Sequence, residues 1–205
     1  MCGRYANHVQ KMSGWEEILG DWPGSAELSM NIAPTQNIPV VAQQSGITQA
    51  KNMRWGLVPA WSKTPKPKYA TYNARAETAQ QKPSFRDACR SAQTCLVPAS
   101  GYYEWSGEKG HKTKHYIQLE NKTPLVMAGL WAFWTQGEQR LFSCTILTRA
   151  AVPSLVGIHP RMPLILNKQD ARNWLEPSSG LALGSQLDHL QQYASYPLTV
   201  STPGL

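Results

Sequence analysis

Residues Leu125 to Leu147 read LVMAGLWAFWTQGEQRLFSCTIL. Two runs within this stretch, Val126–Trp131 and Leu141–Leu147, are short and rich in aliphatic, β-branched and aromatic residues, the composition of strands. The unbroken apolar part, Leu125 to Trp134, falls well short of the roughly 20 residues that a membrane-spanning helix needs, so it reads as protein core. Working outward, Ile38–Ala42, Asn52–Val58, Cys95–Val97, Tyr102–Trp105 and Tyr116–Leu119 have the same strand character. Helical patterns lie towards the ends. Ser13 and Glu16 form a capping box ahead of Ile18 and Leu19 with Gly20 as the stop, Ser84–Arg90 and Gln186–Tyr193 are helical, and Lys168–Leu175 follows Asn167 as a cap. Strands and helices do not alternate regularly, which excludes a doubly wound parallel sheet and predicts an α+β fold. The 205 residues are treated as a single domain, 1–205, since Ser62–Lys68, with its three lysines and two prolines, reads as a surface loop within it.

Composition narrows the class further. With 41% apolar and 16% charged residues the chain is neither disordered nor a coiled coil. A formal charge of +7 beside eight tryptophans suits a polyanion with stackable bases, although a basic surface also serves solubility alone. Residues 1–10 form an extended start without an apolar stretch, so no signal peptide is predicted and the expected location is cytoplasmic. Cys2, Cys89, Cys95 and Cys144 are too widely spaced for paired metal-ligand motifs; free thiols are expected, with no zinc, disulfide or cofactor.

Four residues could carry chemistry. Removal of Met1 would make Cys2 a 1,2-aminothiol, whose amine, with a pKa of about 7.7–8.0, attacks carbonyls and whose thiol can then close a five-membered thiazolidine on an aldehyde. The competing reading is a chance second residue in a frayed terminus. Glu104, among the rings of Gly101-Tyr102-Tyr103-Glu104-Trp105, is either a desolvated proton carrier or the solvent face of an alternating strand. His159, in Gly157-Ile158-His159-Pro160-Arg161-Met162-Pro163, is either a general acid or an ordinary surface histidine. In Asn73-Ala74-Arg75-Ala76-Glu77-Thr78, Asn73 can bond a carbonyl or sugar oxygen and Arg75 a phosphate. Arg54-Trp55-Gly56-Leu57-Val58-Pro59-Ala60-Trp61 alternates cation, ring and turn like a single-strand groove, while Trp55 and Trp61 taken singly read as core. The absence of a phosphate-binding glycine loop, a His-Glu-x-x-His element or a Gly-x-Ser-x-Gly elbow disfavours nucleotide hydrolysis, zinc proteolysis and α/β-hydrolase chemistry.

Taken in order, Met1-Cys2-Gly3-Arg4, Asn31-Ile32-Ala33-Pro34-Thr35, Arg54-Trp55-Gly56-Leu57-Val58-Pro59, Asn73-Ala74-Arg75-Ala76-Glu77-Thr78, Cys95-Leu96-Val97-Pro98-Ala99, Gly101-Tyr102-Tyr103-Glu104-Trp105, Ala128-Gly129-Leu130-Trp131 and His159-Pro160-Arg161-Met162-Pro163 resemble the SRAP (SOS response associated peptidase) family, the abasic-site DNA-protein crosslinking proteins. The resemblance runs nearly end to end. It implies a barrel-like, bifurcated antiparallel sheet surrounded by helices, and a DNA-damage role in which a monomer binds single-stranded DNA and crosslinks Cys2 to an abasic-site aldehyde. It assigns the catalytic site to Cys2, Asn73, Glu104 and His159, and DNA contacts to Arg4, Arg54, Trp61, Arg75 and Arg161. The partner is single-stranded DNA containing abasic sites, with no membrane, and the bound protein would be nucleoid-associated. Two other readings stay open: an N-terminal-nucleophile peptidase using the same residues, and a non-catalytic binding module. One position departs from the family pattern: Thr94 stands where a basic residue is expected, which puts one phosphate contact in doubt.

Overall fold

A computed structural model describes residues 2–7, 14–19, 29–44, 46–108, 110–176, 180–193 and 196–203. The chain-order elements are β1 (Tyr5–Asn7), α1 (Glu16–Leu19), β2 (Ser29–Ile32), β3 (Asn37–Gln44), β4 (Ile47–Trp55), β5 (Asn73–Arg75), α2 (Arg86–Arg90), β6 (Thr94–Ala99), β7 (Gly101–Ser106), β8 (Thr113–Leu119), β9 (Leu125–Gln136), β10 (Gln139–Ala150), β11 (Arg161–Pro163), β12 (Ile165–Leu166), α3 (Lys168–Leu175), α4 (Gly180–Tyr193) and β13 (Leu198–Ser201). The α+β class and the surface loop at Ser62–Lys68 match the sequence reading, and Ser13 and Gly20 of the capping box lie outside the described residues.

The stretch quoted first is a hairpin. β9 and β10 pair antiparallel from Gln136↔Gln139 to Gly129↔Ile146. The two-residue turn puts Gly137 at φ 56°, where a type II′ turn takes glycine because the conformation has no room for a Cβ. The pairs β10–β4, β4–β3, β3–β6, β6–β9 and β9–β10 close a five-stranded barrel. One expectation is corrected here: the barrel is mixed, because β4 runs parallel to β10, as does β5.

Closure explains the apolar run. Along β9, Met127 and Trp131 point into the barrel with Cys95, Val97, Cys144 and Ile146, while Val126, Ala128, Leu130 and Ala132 point outward against the helices. Both faces of the strand are buried, so its sequence is continuously apolar instead of alternating. The outer layer carries Phe85 and Ala88 around α2, Trp174 and Leu175 of α3, and Leu183, Leu187 and Leu190 of α4. Trp174 also donates its indole N–H between the carbonyls of Cys95 (3.2 Å) and Gly129 (3.1 Å). Gly129 is a close-approach glycine, since a Cβ there would lie 2.8 Å from both Cys95 Sγ and the Thr145 carbonyl. Asn167 caps α3 as read from sequence, its Oδ1 accepting from Asp170 N at 2.8 Å. No helix among the described residues is long and apolar enough to cross a membrane.

A second sheet, β13-β8-β7-β1-β2, packs against the barrel. Its inner residues Tyr5, Ile32, Tyr102 and Ile117 join the barrel core, while Tyr103 and Tyr116 stack on the other face with ring centroids 5.0 Å apart. The predicted strand Asn52–Val58 stops at Trp55, because Gly56 turns the chain at φ 138°. A second turn is strained: Thr35 sits at φ 77° while its N–H donates to the Trp55 carbonyl at 2.7 Å. A left-handed β-branched residue costs about 1–3 kcal/mol, more than the about 0.5–1 kcal/mol of entropy that glycine adds. Thr35→Gly should therefore raise the calorimetric Tm by about 2–4 °C. An unchanged or lower Tm would show that the strain is compensated elsewhere.

Candidate active site and nucleic-acid interface

The two sheets meet where β1 packs against β6, with Ser100 N, just after β6, donating to the Ala6 carbonyl at 2.8 Å. The segment before β1 carries Cys2, which is fully buried, and Tyr103 N donates to the Arg4 carbonyl at 2.9 Å, tying that segment to β7. Along β7 the two-residue period puts Tyr102 and Glu104 on the inward face and Tyr103 and Trp105 outward. Glu104 is 4% exposed, so of the two readings of this strand the solvent-facing one is wrong. β5 adds Asn73 beside Ile146, and its Nδ2 donates to the Cys2 carbonyl at 2.7 Å. His159 precedes β11 in a turn anchored by its N–H to the Leu155 carbonyl, and its Nδ1 lies 4.0 Å from Glu104 Oε1. Cys2, Asn73, Glu104 and His159, scattered over the sequence, are thus brought together.

Electrostatics follow from burial. Desolvation pushes the Cys2 thiol well up, and the neighbouring Glu104 carboxylate raises it further. Burial also raises the Glu104 carboxyl above its ordinary range, with the His159 imidazole opposing. The same burial thus holds the proton on the Cys2 thiol and favours the protonated form of the Glu104 carboxyl. His159 Nδ1 has two partners on one residue: it accepts from Arg161 N–H at 3.0 Å, and when protonated faces the Arg161 carbonyl at 3.1 Å. Either ring tautomer therefore keeps a hydrogen bond at Nδ1.

Sequence reasoning missed the phenols. Tyr5 and Tyr102 are fully buried, and their hydroxyls have no hydrogen-bond partner among the described residues. Burial, with the neighbouring Cys2 and Glu104 groups, pushes the Tyr102 phenol well up, and its side chain shares one buried cluster with Cys2. The alternation of β7 was the signal that could have found it. Tyr5 packs edge-on against Trp55 at 5.3 Å, and Trp55 against Tyr72 at 6.0 Å, forming one wall. Four buried free cysteines are present, and no group of three His, Cys, Asp or Glu side chains among the described residues could hold a metal ion.

The residues expected to contact DNA separate into two kinds. Trp55 is core, as read, whereas Trp61 is 56% exposed and its ring is steered by an Nε1–H bond to the Pro83 carbonyl at 3.3 Å. It borders a groove of ≈ 580 Å³ with Lys63, Lys66, Lys68 and Tyr69. A second groove of ≈ 330 Å³, lined by Pro34, Thr35, Arg54, Trp55 and Tyr72, shares that lysine loop. Arg54 supports the loop, donating to the Gly56 and Pro65 carbonyls at 3.2 and 3.3 Å. Arg75 is exposed and Arg4 half-buried, while Arg161 is paired with Glu77. Thr94 is 2% exposed, so that position offers no surface from which to reach a phosphate.

The SRAP family profile, SOS response associated peptidase, matches residues 1–202. The chain belongs to this family. Among similar SRAP relatives, the abasic site processing protein YoqW of Bacillus subtilis (strain 168) is 34% identical over 87% of this chain and 82% of its own length. The abasic site processing protein HMCES of Xenopus tropicalis is 29% identical over 86% of this chain and 66% of its own. A crystal structure of a Bordetella bronchiseptica protein superposes with a TM-score of 0.83 at 26% identity, covering 100% of both chains. A phage-related protein of the same organism gives 0.75 at 25% identity, covering 98% of this chain and 94% of that one. The SRAP fold expected from the sequence is therefore the observed one.

Proposed function

We propose that this protein processes abasic sites by linking Cys2 covalently to the ring-opened sugar in single-stranded DNA. The observation that carries the reading is the convergence of an N-terminal cysteine, held by Asn73, with a buried carboxylate and an imidazole. The abasic-site names of the relatives support it. Removal of Met1 frees the Cys2 amine, which Asn73 Oδ1, buried and without a partner among the described residues, can accept. The amine adds to the aldehyde carbon C1′, and loss of water gives a Schiff base. The thiol then adds to the same carbon and closes a thiazolidine. One C–N and one C–S bond form and one water leaves.

The raised thiol pKa orders these steps. A protonated thiol waits until the imine is formed, then passes its proton to Glu104 as sulfur attacks. His159 supplies a proton to the opening sugar oxygen. Trp61 stacks on a neighbouring base, worth about 1–3 kcal/mol. Arg161 is already neutralised by Glu77; Arg4 and Arg75 each meet one phosphate, which predicts a log-log salt slope of about −1.4 at about −0.7 per single-strand contact. Fluorescence titration from low to high salt measures it, and a slope near zero would remove the phosphate contacts.

The direct test incubates the processed protein with abasic and intact single-stranded oligonucleotides without reductant. A heat-stable adduct on the abasic strand alone, mapped to Cys2 by mass spectrometry, is expected. Equal affinity for both strands and no adduct would leave only a binding module. The same thiol, carboxylate and imidazole also suit an N-terminal-nucleophile peptidase that removes its own Met1. Intact mass separates the two: Met1 retained in Glu104→Gln but not in Cys2→Ala or wild type would tie processing to Glu104, and complete removal in all three assigns it to cellular aminopeptidase.

A further inference from the structure

The contacts that hold His159 end on Glu77, which the mechanism above does not use. Arg161 Nη1 and Nη2 donate to Glu77 Oε1 and Oε2 at 2.6 and 2.8 Å, a bidentate fork. Nη2 also donates to the Thr148 carbonyl at 2.6 Å. That carbonyl is shared, because it accepts Ala76 N at 2.9 Å from the loop that carries Glu77. One peptide oxygen of β10 therefore pins both the 76–78 loop and the Arg161 side chain. Arg161 completes the chain through its own backbone N–H, 3.0 Å from His159 Nδ1. The side chains of Arg161 and Glu77 are 15% and 37% exposed, so the pair is partly sheltered from water. Although burial raises the Glu77 carboxyl, its bonds to Arg161 bring it below its usual range. A charged bidentate pair of this kind fixes orientation as well as adding energy.

We infer that Glu77 is a positioning residue for His159: by locking Arg161 against Thr148 it holds the Arg161 amide and carbonyl together on Nδ1, 3.0 and 3.1 Å away, and sets the ring's distance to Glu104. Its consequence for crosslinking rests on the proton-transfer role given to His159 above. A displacement of about 1 Å at such a group can cost about 10²-fold in rate. Loss of a rim anion, in contrast, would only ease the approach of phosphate.

The test compares wild type with Glu77→Ala, the isosteric Glu77→Gln and the charge-retaining Glu77→Asp. ¹⁵N spectra of the imidazoles, with His159 assigned through His159→Gln, read the ring directly. Wild type should show one sharp pair of His159 ring nitrogen signals; Glu77→Ala and Glu77→Gln should shift and broaden them, and Glu77→Asp should recover part of the wild-type pattern. Adduct formation at saturating abasic DNA should slow by about 10- to 100-fold in Glu77→Ala, with a Kd unchanged or tighter. Unaltered His159 signals in folded Glu77→Gln would overturn the inference, as would a tighter Kd with an unchanged rate. If wild type forms no adduct, the crosslinking function falls, and the imidazole spectra still decide the clamp.

Discussion

Cys2→Ala is expected to abolish the heat-stable adduct with abasic single-stranded DNA while the protein stays folded. The amine survives this substitution, so a Schiff base still forms and borohydride still traps it. Without sulfur no thiazolidine closes, and hydrolysis reverses the imine on heating. Stability should change little: Cys2 is fully buried, and a methyl-sized void costs about 1 kcal/mol, about 2–4 °C in Tm for a domain of this size. Gel mobility after heating, with and without borohydride, checks the first part, and calorimetry the second. A heat-stable adduct as abundant as in wild type would remove Cys2 sulfur from the chemistry. Binding affinity should remain near wild type, because the phosphate and stacking contacts lie elsewhere.

Glu104→Gln should do two opposite things, slowing crosslinking by about 10²–10⁴-fold and raising stability at neutral pH. The first follows from loss of the base that receives the thiol proton. The second follows from linkage. Burial raises the Glu104 carboxyl above its ordinary 4.5, so the folded state holds a proton that the unfolded state has already released. Stability therefore falls as pH rises from 4.5 through the folded-state value, and the deficit persists above it. Glutamine removes that charge, so the Tm gain should be largest near pH 7 and vanish below about pH 4, where both states are protonated. A pH series of melting curves on both proteins measures this. A variant less stable than wild type at pH 7 would show that charge partners of Glu104 outweigh its desolvation. The pairing of a stability gain with an activity loss marks a charge kept buried for chemistry.

Parts of the site were legible residue by residue. Asn167 was readable as a cap, since a helix start leaves N–H groups that a short polar side chain meets locally. Cys2 was readable as a nucleophile because the aminothiol needs no neighbour to exist. Glu104 was not, because alternation along β7 tells which residues share a face but not which face is covered. The covering sheet is assembled from β1, β2, β8 and β13, distant in sequence. The two readings of Trp61, core packing and a base contact, could not be separated locally for the same reason: an isolated tryptophan is usually core, and only the turn after Pro59 puts this ring outside.

Sequence alone determined the strand-rich α+β class, the family through an ordered set of motifs, and the residue types available for carbonyl chemistry. These depend on local composition and covalent structure. Tertiary structure alone decided that β4 closes the barrel parallel to β10, that Glu104 is buried beside the Cys2 thiol, and that Thr148 ties the Glu77 and Arg161 segments together. Those outcomes depend on which distant segments exclude water from one another, and no local pattern encodes that.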